Sequence, residues 1–147
     1  MQGFWKIWML VWCWGVLLFG VVLALAVVPG ANGAMGFILA TMGSDPALAS
    51  LMDQPAMQFA VGLQGALTIG WALTVLGVVR FGGEGNAQLW LSVTIAVLAW
   101  SVIDSVISIM TGFALNAVSN TLLTVGYLVP VLCSGAVRLR APAEGTA

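Results

Sequence analysis

An aspartate, two asparagines and a run of hydroxyls are the side chains in this sequence best placed to do chemistry together. Asp104 lies inside the apolar stretch WSVIDSVISIMTG (100–112), with Ser101, Ser105 and Ser108 at neighbouring turns of the same periodicity. Asn116, Asn120, Thr124 and Tyr127 follow at steps of three and four in the next apolar stretch, and Gln64 and Thr68 lie four apart in an earlier one. Steps of three, four and seven hold side chains to one face of a helix. A carboxylate in hydrocarbon costs at least about 2.5–3.5 kcal/mol on insertion scales, so Asp104 is expected to face protein. There it is either protonated and donating to an amide oxygen, or ionised and surrounded by amide and hydroxyl donors. Two roles fit such a group: interhelical glue that fixes rotation and register, or a proton or ligand site.

Other chemistries lack their residues. The chain has no histidine, which argues against zinc catalysis, histidine-ligated haem and the usual ligand of chlorophyll. Cys13 and Cys133 are far apart, each in an apolar run, and form no C-x-x-C redox pair. Asp104 has no companion base or nucleophile at catalytic spacing, so no catalytic residue and no metal ligand is assigned and the chain is expected not to be an enzyme. Lys6, Arg80, Arg138 and Arg140 are its only basic residues. They are scattered, and no nucleic-acid partner is expected.

The elements that must position these side chains follow from composition. Of 147 residues, 61% are hydrophobic and 6% charged, and the mean hydropathy is +1.10. A soluble domain carries about a quarter charged residues, so the expected solvent of this chain is lipid. A helix needs about 20 mostly apolar residues to cross the hydrocarbon core, and residues 5–28, 56–79, 89–111 and 115–137 qualify. The expected fold is all-α: a single integral membrane domain, a four-helix bundle with antiparallel up-down topology. The link 29–55 contains AMGFILATMG, too short to span, and SDPALASLM, which reads as a short helix capped by Asp45 with Pro46 at its first position. A short interfacial helical segment is therefore expected between the first and second spans. The tail 141–147 is expected to fray.

Positive charge sets orientation. Lys6, Arg80, Arg138 and Arg140 fall at one side of an even number of spans, whereas the long link and the third turn have no Lys or Arg. Cytoplasmic flanks are enriched in these residues, so both termini are expected to be cytoplasmic, in a bacterial inner membrane.

With a rise of about 1.5 Å per residue, Asp104 lies roughly 12 Å from Gly112, Gln64 about 13 Å from Pro55 and Asn120 roughly 7 Å from Leu115. Antiparallel packing would bring them into one layer. The expected cluster is Gln64, Asp104, Asn120 and Thr124, with Ser101 or Ser108 adjacent and Asn116 and Tyr127 on the same face. Trp5, Trp8, Trp12 and Trp90 lie near the inner ends of their spans and are expected to form an aromatic belt in the headgroups or a face for a partner. Gly15, Gly20 and Ala24 offer a flat strip for close helix approach.

The size and span count are those of small multidrug exporters, but those depend on a glutamate in the first helix, which has no acid here. Quinone reductases of the vitamin K type need the missing C-x-x-C pair. The function expected is that of a small accessory or assembly subunit or a lipid-associated structural protein. Its partners would be membrane lipid and possible further membrane subunits or copies of itself. The alternatives are an oligomeric transporter or channel using Asp104, and a binder of quinone, carotenoid or lipid.

Overall fold

The computed structural model describes residues 1–82 and 86–138. Those residues form five α-helices and one 3-10 helix and contain no strand: α1 (Gly3–Leu25), α2 (Gly33–Met42), the 3-10 helix Pro46–Asp53, α3 (Pro55–Phe81), α4 (Ala87–Met110) and α5 (Ala114–Cys133). Four of these helices, α1, α3, α4 and α5, are long and apolar enough to cross a membrane. The shortest, α5, has 20 residues and so rises about 30 Å, the thickness of a typical hydrocarbon core.

The helix ends have local causes. Pro29 cannot donate to a helical ladder and disfavours helix at the residue before it. The first span accordingly stops at Leu25, three residues short of the expected end, and leaves through turns. Asp45 caps the 3-10 helix by accepting from Ala47 N at 2.9 Å, with Pro46 next, so the expected cap holds while the helix type is tighter than α. Asn86 accepts from Leu89 N at the start of α4. The α4–α5 turn closes on Gly112, whose φ of 86° is open to glycine at little cost. There Phe113 N donates to Ser108 O at 2.8 Å, the long bond of a Schellman ending. The last span was expected to reach 137 but ends at Cys133, where Gly135 at φ 68° turns the chain away. Arg140, the 141–147 tail and the centre of the α3–α4 turn lie outside the described residues.

Packing falls into two layers. Met9 and Cys13 of α1, Val75, Leu76 and Val79 of α3, Trp90 and Val97 of α4, and Tyr127 and Val131 of α5 form one buried cluster. It joins all four long helices near the start of α1 and α4 and the end of α3 and α5. A second cluster holds Leu23 of α1 and Ala26 just after it, Val61 of α3, Met35 of α2 and Met52 of the 3-10 helix. The two short elements thus cover the far end of the α1–α3 pair, and Gln58 Nε2 anchors them by donating to Met52 O at 2.8 Å.

The α1–α3 crossing is a backbone contact. A Cβ on Gly65 would collide with the backbone of Ala24 and lie 2.8 Å from Gly20 O, and one on Gly20 would lie 3.0 Å from Ile69 N. The small-residue strip expected in the first helix is therefore occupied by α3, through Gly20 and Ala24. Gly15 takes no part and has open space around it. The rest of the structure follows from this pairing: α1 also packs against α5, and α4 packs on α5.

Candidate functional site

The α4–α5 hairpin brings the polar stripes of its two helices face to face. Pairs form in opposite sequence order along the seam. Asn116 Nδ2 donates to Ser108 Oγ at 2.8 Å, Asn120 Nδ2 to Asp104 Oδ2 at 2.8 Å, and Thr124 Oγ1 to Ser101 Oγ at 2.8 Å. Thr94 Oγ1 and Tyr127 Oη lie 3.1 Å apart. Since the Thr94 hydroxyl donates to Trp90 O at 2.7 Å, Tyr127 is the donor in that last pair.

Asp104 is the node. Its Oδ2 accepts from both Asn120 and, at 3.4 Å, Asn116. The second amide hydrogen of Asn120 reaches Ser105 Oγ at 3.4 Å. Ser108 donates back to Asp104 O at 2.7 Å, which leaves its oxygen free to accept from Asn116. The carboxylate is half-buried, while Asn120, Thr124, Ser101 and Ser108 are buried. Asp104 thus turns to α5, the side expected from the cost of a carboxylate in hydrocarbon.

Gln64 does not join this group. Its side chain is exposed on α3, and the Thr68 hydroxyl is spent on Gln64 O at 2.8 Å, one turn back on its own helix. The depth of Gln64 suited the layer, but the close α1–α3 crossing holds α3 on α1 rather than on the α4–α5 hairpin. Ser119, Thr121 and Thr111 also donate to carbonyls four residues back. Hydroxyls can satisfy themselves in this way within a helix, so a serine or threonine on an apolar helix does not by itself mark a shared polar layer.

Below the seam lies an aromatic chain. The Tyr127 ring is 5.5 Å from Trp12, Trp12 is 5.6 Å from Trp71, and Trp71 is 5.7 Å from Trp100. The rings come from α5, α1, α3 and α4, so the chain ties the four long helices together. Two tryptophans expected at the headgroups or a partner face spend their indole N–H groups on α5, Trp12 half-buried and Trp8 still exposed. Trp12 Nε1 donates to Leu123 O and Trp8 Nε1 to Gly126 O, each at 2.9 Å. Trp90, expected in the same belt, is 3% exposed and belongs to the core. Trp5 is half-buried and stacks edgewise on Phe4. The Trp8 contact was missed from sequence, although its signal was there: Pro130 inside α5 has no N–H for the carbonyl of Gly126.

No group of three or more potential metal-binding side chains occurs among the described residues. No family model matches the chain, and neither a curated protein nor a solved structure is detectably similar to it.

Proposed function

We propose that this chain is a small, non-enzymatic integral protein of a bacterial inner membrane, an accessory or assembly subunit built as an antiparallel up-down four-span bundle with both termini in the cytoplasm. The shared cluster of Met9, Val79, Trp90 and Val131 supports the alternation, because it gathers the start of α1, the end of α3, the start of α4 and the end of α5. Lys6, Arg80 and Arg138 lie at those same ends, which supports the cytoplasmic assignment. Helical spans, rather than a barrel, suit an inner membrane. The segment Gly33–Asp53 would then lie at the outer interface, too short in either element to span.

The observation that carries the subunit reading is the pairing within the α4–α5 seam. Asn116, Asn120 and Thr124 are matched to Ser108, Asp104 and Ser101 of the same chain, which is the behaviour of glue. The side of α4 turned away from Asp104 is apolar, with Ile95, Val102 and Val106 exposed, available to lipid or to another subunit. Isolation from native membranes in mild detergent tests it. Co-isolation of the same stoichiometric membrane partner supports the reading, and a chain that always runs alone overturns it.

A second reading, an oligomeric transporter, is favoured by one detail: Asp104 Oδ1 takes no hydrogen bond among the described residues. Flux in liposomes tests it, since Asp104→Asn should abolish pH-dependent flux.

A further inference from the structure

Asp104 spends one oxygen on the seam and keeps the other. Both amides reach Oδ2. No buried side-chain nitrogen or oxygen among the described residues lacks a partner, so Oδ1, which takes no bond, is open at the bundle surface. One turn away on the same face is Trp100, since residues four apart are neighbours at about 5–6 Å. Its half-buried indole lies tilted against that of Trp71 on α3, with ring centroids 5.7 Å apart. The main partner of α3 is α1 and that of α4 is α5, and α3 and α4 share the buried cluster of Val75, Val79, Trp90 and Val97 nearer the start of α4. Thr68 and Gln64 continue the Trp71 stripe outward, with Gln64 exposed. Asp104 therefore lies one helical turn from one member of an indole pair that bridges α4 and α3. Its depth is about 9 Å inside the end of α4, six residues before Met110.

We infer that Asp104 Oδ1 and the Trp71–Trp100 pair form a binding site for the amine head of an apolar ammonium compound. In the ionised form Oδ1 is an acceptor, and it then calls for a ligand that donates. A carboxylate strengthens such a bond when the donor is charged, and indole faces attract cations. Lys6 is at the start of α1, Arg80 at the end of α3 and Arg138 beyond the end of α5, so no basic side chain of the described residues lies near Asp104 along the chain. Exposed apolar side chains within a turn of Asp104 on α4 and of Trp71 on α3, Ile107 and Leu67, suit an apolar body on the ligand. A hard divalent cation fits less well, because it calls for six or more oxygen ligands or retained water. The site stands whether or not the chain has a partner subunit.

The test uses the full chain in nonionic micelles with octylamine as probe and 1-octanol as the uncharged probe of equal chain length, read by tryptophan fluorescence and native mass spectrometry. On the unmodified protein, octylamine is expected to bind saturably and about tenfold or more tighter than octanol, whereas equal affinity overturns the site. Asp104→Asn should weaken octylamine about tenfold and leave octanol unchanged. Trp100→Leu should weaken octylamine severalfold. Should Asp104→Asn fail to fold, the two-probe contrast and Trp100→Leu still decide; unchanged octylamine affinity in a folded Asp104→Asn or Trp100→Leu overturns the assignment.

Discussion

The indole of Trp8 donates to the carbonyl of Gly126 at 2.9 Å, and that carbonyl is the one whose helical donor, four residues on, is replaced by Pro130. A proline inside a helix leaves an acceptor without its amide, and in a membrane such a group needs a partner from within the protein. Trp8 supplies it from α1. Trp12 reaches Leu123 O one turn away, and a Cβ on Gly126 would lie 3.3 Å from the Trp12 ring. The break in α5 and the two indoles of α1 therefore form one joint.

That joint can be measured by a double-mutant cycle. Trp8→Phe should cost on the order of 0.6 kcal/mol and at most about 1.7 kcal/mol, the range of interhelical polar contacts in membranes. In a Pro130→Ala background the helix regains its own donor, and the cost of Trp8→Phe should shrink. Unfolding in mixed micelles reads both values, and additive effects would show that the two residues do not share the Gly126 carbonyl.

The α1–α3 crossing makes a sharper demand. Gly65→Ala places a methyl against the backbone of Ala24, which no rotamer change can relieve. A loss of about 1–3 kcal/mol is expected, as for overpacked cores. Gly77 lies on the same helix with open space where its Cβ would be, so Gly77→Ala should be neutral or slightly stabilising, since alanine favours helix by about 1 kcal/mol over glycine. Equal effects at the two positions would refute the close crossing.

Asn120 should matter more than its count of contacts implies. Asn120→Leu removes the shorter of the two amides on Asp104 Oδ2 and leaves only the longer one from Asn116, at a cost of about 1 kcal/mol. Asp104→Leu combined with Asn120→Leu should cost less than Asn120→Leu alone, because the weakly paired carboxyl is then gone. Ser119→Ala, which removes only a bond to Leu115 O on its own helix, should change stability by less than about 0.5 kcal/mol.

Much of this was legible in the residues, and the exceptions share a cause. The four long helices follow from runs of apolar residues, and their breaks from Pro29, Pro55 and Gly112. Asp104, Asn116, Asn120 and the hydroxyls at 101, 108 and 124 share a seam because periodicity placed them on facing stripes of a tight hairpin. Gln64 matched in depth but not in partner, because depth along a helix does not say which neighbour the helix packs against. That was decided by Gly20, Ala24 and Gly65, whose small size is visible in sequence while their pairing is not. Trp90 and Trp12 were read from position near helix ends, a rule about lipid that yields when a neighbouring helix offers a core or a carbonyl. The C-terminal side of α5 ended early because Gly135 turns the chain, which hydropathy does not register.

Topology gives a further check. Reporter fusions at residue 1 and after residue 138 should both report the cytoplasmic side, and a fusion in the turn at Gly112 the opposite side. Termini on opposite sides would mean that one of the four long helices does not cross.

The polar seam itself is tested most directly by disulfide trapping. In a background with Cys13→Ser and Cys133→Ser, the pair Ser101→Cys with Thr124→Cys places two sulfurs where hydroxyl oxygens now lie 2.8 Å apart. Oxidation in native membranes should link this pair rapidly and almost completely, and should leave Ile103→Cys with Thr124→Cys unlinked, because Ile103 points away from α5 and is 60% exposed. Failure of the first pair to link, or equal linking of both, would contradict a seam in which Asp104 faces Asn120.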